Sequence, residues 1–284
     1  MKFIVGAVVA MVAIMAVRAD AQAPIVVPAD AVVVKPSPSA SITRWVAAAG
    51  RARFSLDIGG GTLRGYRYAA PGSRLTVLFF NGNGLVVDTL DDAYRALASL
   101  GADVVVADYR GYGFSTGTAA VAAWNADGVA LYDALAKSGP VVVQGFSLGT
   151  CVAAHVASLR PVAGTVLDAP YATAAEELAV VARLNGMAPD VASRLVPGDD
   201  ARAAFDETTL VAHSTSPLLV IHGSADAEVP IAQGQEVVAA SAAARKQFVE
   251  VPGAGHREIV TTAKALEVER AFLHGLLPPE AGLR

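Results

Sequence analysis

The chain predicts an α/β domain, with a mostly parallel eight-stranded sheet, helices on both faces and a small helical cap. Three observations carry this expectation. Short apolar runs alternate with helix-compatible stretches from residue 54 to residue 276, the pattern of strands joined by crossover helices. Several runs, among them Thr76–Phe80 and Val141–Gln144, are nearly continuous in apolar residues, as parallel strands covered on both faces require. Residues 172–215 then break the rhythm with helical pieces and polar punctuation at Pro197-Gly198-Asp199-Asp200. An insertion there sits over the carboxyl ends of the strands, where open α/β sheets bind ligands.

The elements follow in order. Residues 1–21 read as an export signal: Lys2 supplies a positive start, Phe3–Val17 is unbroken apolar sequence, and Ala19-Asp20-Ala21 fits cleavage after Ala21. The apolar run is shorter than the about 20 residues of a spanning helix, with an uncleaved N-terminal anchor as the alternative. Residues 22–45 hold Pro24, Pro28, Pro36 and Pro38, a density that resists helix and central strand and predicts an extended leader. The domain proper is expected over 46–284. Phe54–Ile58 and Gly65–Tyr68 flank Gly59-Gly60-Gly61 as a hairpin. Further strands are expected at Thr76–Phe80, Asp103–Ala107, Val141–Gln144, Gly164–Asp168, Pro217–Ile221 and Lys246–Val251. Helices are expected at Asp91–Leu100, Val121–Lys137, Leu148–Leu159, Ile231–Ala243 and Glu258–Leu276, with cap helices at Ala174–Leu184 and Ala188–Leu195.

Composition narrows the function. A chain of 284 residues with 54% hydrophobic and 17% charged residues is a well-buried globular protein, not a disordered one. A net charge of −4 without a basic stripe, and few aromatics, argue against a nucleic-acid partner. The single cysteine, Cys151, excludes an internal disulfide framework and reads as a small buried hydrophobe. No Cys/His cluster has zinc-ligand spacing, and neither metal nor cofactor is expected. Nothing in the chain specifies an oligomeric state.

The chemistry centres on Gly145-Phe146-Ser147-Leu148-Gly149, which joins a strand-like run to a helix-compatible one. That context turns a serine into an exposed nucleophile at a strained turn, with Gly145 and Gly149 allowing helix and strand to pack closely. A serine hydroxyl needs a base, and the base an orienting acid. Asp226 follows the strand ending at Ile221, and His256 follows the strand ending at Val251 in a Gly-rich loop. All three fall at the same sheet edge. Asp168 and Glu228 are rival acids; His155, His213, His222 and His274 are rival bases less well placed. Oxyanion donors are expected from the Leu148 N–H and from the Asn83 or Gly84 N–H in the loop Asn81-Gly82-Asn83-Gly84.

These segments, together with Asp108-Tyr109-Arg110-Gly111-Tyr112-Gly113-Phe114-Ser115-Thr116-Gly117, His222-Gly223-x-x-Asp226-x-x-Val229-Pro230 and Gly255-His256, resemble the α/β-hydrolases. The likeness is specifically to the serine aminopeptidase and monoacylglycerol-lipase-like group. It implies the α/β-hydrolase fold, Ser147 as nucleophile, His256 as base, Asp226 as acid, and the Leu148 and Asn83 amides as oxyanion hole. It makes the loop 108–117 a structural support behind the nucleophile. Where the family usually carries His-Gly, this chain has Asn81-Gly82, and an asparagine offers equivalent hydrogen bonds.

The expected function is therefore an exported, lipase-like serine esterase taking a small-molecule ester. The apolar cap residues Leu178, Val180, Val181, Leu184 and Met187 favour an acyl chain, and contact with a membrane or lipid surface is compatible with them. Two alternatives stand beside it. The same residues could serve a peptidase or amidase, with Glu176 or Glu177 catching a substrate amine unless both are merely solvated. A catalytically silent scaffold that binds a ligand is the third reading.

Overall fold

In the computed structural model, which describes residues 23–33 and 44–277, the chain opens with strand β1 (Ile25–Val27) and a helical turn, α1 (Ala29–Val32). The main sheet is built from β2 (Arg51–Ile58), β3 (Gly61–Tyr68), β4 (Thr76–Phe80), β5 (Asp103–Ala107), β6 (Val141–Phe146), β7 (Gly164–Asp168), β9 (Leu218–Gly223) and β10 (Lys246–Val251). Its order is β10-β9-β7-β6-β4-β5-β3-β2. Every neighbouring pair is parallel except β3 with β5 and β2 with β3.

Alternate residues of each central strand feed two cores. Leu78, Val105, Val143 and Val220 pack on one face with α3 (Val121–Leu135) and α4 (Leu148–Leu159). Val77, Val104, Val142 and Leu219 pack on the other with α2 (Asp91–Ala98) and α10 (Ala263–His274). Both faces are apolar because both are covered, which is why these strands read as unbroken runs instead of alternating ones. The eight strands sit where the apolar runs predict them, with β2 and β3 longer than expected and paired through a tight turn at Gly59-Gly60.

Between β7 and β9 lies the cap: α5 (Ala174–Leu184), α6 (Pro189–Ala192), β8 (Leu195–Pro197), α7 (Asp199–Phe205) and α8 (Glu207–Ala212). The helix expected over Ala188–Leu195 stops at Ala192, and Leu195–Pro197 is a strand. Its partner is β1, in parallel register from Ile25↔Leu195 to Val27↔Pro197. A three-residue strand needs its partner to exist, and that partner is more than 160 residues away, so no local pattern announces it. The expected export segment 1–21, and residues 22 and 34–43 of the expected leader, lie outside the described residues. The described part of the leader differs from a free extended chain. Ile25–Val27 is β-branched and bounded by prolines, which suits an edge strand. Pro28 sits at the N-cap of α1, where its missing N–H breaks no helical bond. After β9 comes α9 (Ile231–Ala240).

Candidate active site

Ser147 occupies the sharp corner between β6 and α4, at φ 52° and ψ −124°. A non-glycine residue there stores about 1–3 kcal/mol of backbone strain, and the surroundings fix it. Its N–H donates to the Asp168 carbonyl (2.9 Å), and the Thr150 N–H donates back to its own carbonyl (2.8 Å). A Cβ on Gly149 would stand 2.1 Å from the Phe80 carbonyl oxygen, and one on Gly145 2.1 Å from that of Gly149. The two glycines thus let α4 press against β4 and β6 and hold the corner. Below it, the Thr150 hydroxyl reaches both the Ser147 carbonyl and Glu207 Oε1 (2.5 Å). Thr150 owns one hydroxyl hydrogen, so both contacts carry a hydrogen only when Glu207 is protonated. Burial pushes the Glu207 carboxyl up to about 8, against hydrogen bonds from Thr150, Cys151 and the Tyr171 N–H.

The loops after β9 and β10 bring the other two residues to this corner. They are tied together, with Ala225 N–H donating to Ala254 O (3.0 Å) and Gly253 N–H to Ser224 Oγ (2.9 Å). His256 lies 3.0 Å from Ser147 Oγ through Nε2, and 2.7 Å from Asp226 Oδ2 through Nδ1. With the proton on Nδ1 donated to the carboxylate, Nε2 is left to accept from the serine hydroxyl. Asp226 Oδ1 accepts from the N–H groups of Glu228 and Val229, each at 2.8 Å. Burial works to raise the Asp226 pKa. Hydrogen bonds from His222 and His256, the His256 charge and the Val229 N–H overcome it and hold the group well below the usual carboxylate range. The Phe146 ring lies against the His256 imidazole, with centroids 5.1 Å apart.

Leu148 begins α4, so its N–H falls in the first turn, where helices leave donors without intrahelical acceptors. Gly82 and Asn83 line the same cavity as Ser147 and His256, a space of about 690 Å³ walled by Leu85, Phe146, Val180, Val181 and Leu184. That volume lies in the range of small-molecule sites. Asn81 is buried behind this loop: its Oδ1 accepts from the Tyr94 hydroxyl (2.5 Å) and its carbonyl from the Tyr109 hydroxyl (2.7 Å). The loop at Asn83 is therefore anchored through Asn81, in the manner expected of the asparagine.

The rivals make other contacts. The Asp168 carboxyl accepts from Gln144 Nε2 (2.8 Å), and burial pushes it up to about 7. Glu228 is half-exposed, its Oε2 4.0 Å from His256 Nε2. His213 is exposed and bonds the Thr209 carbonyl (2.8 Å). His155 is half-buried on α4, with its pKa lowered by burial. Asp108 accepts from the Val87 and Phe114 N–H groups (2.8 Å each), knitting its loop together as expected. Cys151 is buried as expected, yet its thiol also reaches Glu207 Oε1 (3.2 Å).

Three residues acquire parts that the sequence reading left out. His222 is fully buried beneath Asp226, its Nε2 3.0 Å from the Val229 carbonyl and 3.5 Å from Asp226 Oδ2. Glu207 was not singled out, and no local pattern marks it. Glu177 is not solvated: it is buried, lines the cavity and accepts no hydrogen bond among the described residues. Burial, then the charges of Glu207 and Glu228, push its carboxyl up to about 8. Of the apolar cap residues, Val180, Val181 and Leu184 face the cavity, while Leu178 belongs to the core. Among the described residues no group of three or more His, Cys, Asp or Glu could hold a metal ion, and no helix is long and apolar enough to cross a membrane.

Solved structures place this fold. The Pyrococcus furiosus esterase Pf2001 matches with a TM-score of 0.64 at 18% identity, over 86% of this chain and 96% of that one. The architecture is that of an α/β hydrolase. In sequence, the serine aminopeptidase S33 family profile matches residues 71–209. An uncharacterized protein of Mycobacterium tuberculosis, MT2364, is 33% identical over 215 residues, covering 73% of each chain. Lysophosphatidylserine lipase ABHD12 of Macaca fascicularis is 31% identical over 245 residues; the match covers 76% of this chain but only 59% of that protein. The chain belongs to the serine aminopeptidase S33 family of α/β hydrolases, and its relatives support a hydrolase activity.

Proposed function

We propose that the protein is an exported serine hydrolase that cleaves carboxylic esters with an acyl or lipid-like chain. The observation that carries this reading is the unbroken series from Ser147 Oγ through His256 to the Asp226 carboxylate, at 3.0 and 2.7 Å. Ser147 Oγ attacks the ester carbonyl while His256 Nε2 takes its proton. Asp226 stabilises the imidazolium. The Leu148 and Asn83 amides receive the oxyanion, each such donor contributing on the order of 10²–10³ in rate. As the tetrahedral intermediate collapses, the ester C–O bond breaks and His256 returns the proton to the departing alcohol. Water, deprotonated by the same imidazole, then attacks the acyl-enzyme and releases the acid and Ser147. The apolar wall of Val180, Val181 and Leu184 supports an acyl chain as the bound group.

Hydrolysis of p-nitrophenyl esters from acetyl to palmitoyl, by the mature protein and its Ser147→Ala variant, tests this. Turnover is expected in the first and lost in the second; a folded wild-type protein inactive on every ester overturns the reading. One observation favours a second reading, an amine-directed peptidase: the Glu177 carboxyl in the cavity wall, which accepts no hydrogen bond among the described residues. A carboxyl held neutral near pH 7 suits an uncharged group better than an ammonium, so the ester reading stands first. Cleavage of aminoacyl p-nitroanilides that disappears in Glu177→Gln would reverse that order.

A further inference from the structure

We propose that residues 23–33 form part of the active site, with Val32 the wall residue that limits the acyl group the cavity accepts. This rests on the ester reading for its substrate, but not for its geometry. The segment crosses the cap as a strap and is fastened at each step. Arg194 Nε donates to the Ala23 carbonyl (2.9 Å), and Ile25 N–H to the Arg194 carbonyl (2.7 Å). The register with β8 continues to Gly198 N–H, which donates to the Val27 carbonyl (2.8 Å). Ala29 N–H then donates to Asp200 Oδ2 (2.9 Å) on α7, and Asp30 Oδ1 accepts from Val121 N–H (2.7 Å) at the start of α3. The last tie reaches the site itself: Asn83 Nδ2 donates to the Val32 carbonyl (3.3 Å).

Burial shows the same commitment. Ile25, Val27, Ala29, Ala31, Val32 and Val33 are all buried, while Val26, on the outer face of the strand, is exposed. A segment with no role at the site could pack anywhere on the cap. This one places Val32, a β-branched residue, among those lining the space that contains Ser147 and His256. A valine wall is short and stiff, so its size sets how far an acyl chain extends on that side. The consequence is that part of the substrate pocket is built outside the sheet and cap that define the domain, by the stretch that directly follows the expected export signal.

The test compares Val32→Ala and Val32→Phe with wild type, each variant assayed only where its thermal melt is cooperative. Two readouts are taken: the p-nitrophenyl ester chain-length profile, and equilibrium binding of the fluorescent fatty acid cis-parinaric acid. Val32→Ala is expected to raise kcat/KM for the longest acyl chains relative to acetyl by about tenfold, the scale of one or two carbons in an apolar pocket, and Val32→Phe, which adds four, to lower it by at least as much. Probe affinity should move in the same directions. A merely structural role would scale every chain length alike. Identical relative profiles and unchanged probe affinity in the two variants overturn the proposal, as does a wild-type cavity that binds no probe. Wild type inert on esters, with probe affinity still following residue 32, would sink the ester reading and sustain the wall.

Discussion

Replacing Asp226 by asparagine is the sharpest single test of the proposed mechanism, because the hydrogen bonds around that carboxylate dictate how the amide must sit. Oδ1 accepts two backbone N–H groups, from Glu228 and Val229. An asparagine has to keep its oxygen there, since turning the NH2 toward two donors would leave three polar groups unpaired. Its nitrogen then faces His256 Nδ1, where the carboxylate oxygen stood at 2.7 Å. A donor at that position forces Nδ1 to accept and moves the imidazole proton to Nε2. Nε2 can then no longer take the Ser147 proton. The same tautomer trap in a serine protease, a worked example in protein chemistry, costs about 10⁴ in kcat, equivalent to about 5.5 kcal/mol of transition-state stabilisation. The expected result is a loss of about 10³–10⁴ in kcat on the best p-nitrophenyl ester, with KM little changed. The assay is steady-state hydrolysis at pH 7.5, on protein whose thermal melt is cooperative. Activity within tenfold of wild type would refute the assignment of Asp226 as the orienting acid.

Three further outcomes follow from the packing beneath the site. Gly149→Ala puts a methyl 2.1 Å from the Phe80 carbonyl oxygen and 2.8 Å from that of Asn81; a loss of about 3 kcal/mol, or roughly 6–12 °C in melting temperature, is expected, together with activity. The Glu207 carboxyl, held up to about 8 in the fold against an unfolded value near 4.3, binds a proton that the unfolded chain lacks between those values. Its contribution is therefore full below about pH 4 and lost as pH rises toward 8, at up to about 1.4 kcal/mol per pH unit. Urea unfolding at pH 5.5 and 8 should show wild type weakening with pH and Glu207→Gln weakening less; equal slopes would count against a protonated Glu207. Glu177→Leu removes a buried carboxyl with no hydrogen bond among the described residues, so it should stabilise the protein by about 1–2 kcal/mol and lower KM for unsubstituted alkyl esters; destabilisation would reveal a partner for that carboxyl.

Most of the sheet was legible because its information is local. Val141–Gln144 and Asp103–Ala107 are apolar on both faces whatever lies beyond them, and the strands appear there. The corner at Ser147 was legible for the same reason, since the glycines that permit it are two residues away on either side. What stayed hidden is pairing over distance. Leu195 reads as the end of a helix, and Pro197 as punctuation, until Ile25–Val27 is laid beside them. Glu207 is an ordinary helix-start acid until α8 is packed against α4 beside Thr150 and Cys151. Glu177 looked solvated because acidic residues in the first turn of a helix usually are.

The acids of this site make the limit concrete. Asp168 and Asp226 both follow apolar strands, and the sequence ranks Asp226 first through its motif context without giving the physical reason. Their surroundings do. Asp226 receives two backbone N–H groups and faces two imidazoles, enough donors to keep a buried carboxylate ionised. Asp168 receives one side-chain amide and is pushed up to about 7 by burial. Burial raises Glu207 and Glu177 to about 8, Glu207 despite its hydrogen bonds and Glu177 with the charges of Glu207 and Glu228 adding to it. Around Ser147, then, the fold keeps the Asp226 carboxyl firmly charged, on the far side of the imidazole, while burial raises the Glu207 carboxyl beneath the turn and the Glu177 carboxyl in the cap to about 8. That separation suits a reaction in which negative charge develops on the oxyanion. An ionised Glu177 in the cavity wall would oppose that charge, whereas a protonated one would leave it to the proposed donors, the Leu148 and Asn83 amides. Donors and contact with His256 together, both properties of the folded neighbourhood, single out Asp226 as the proposed acid.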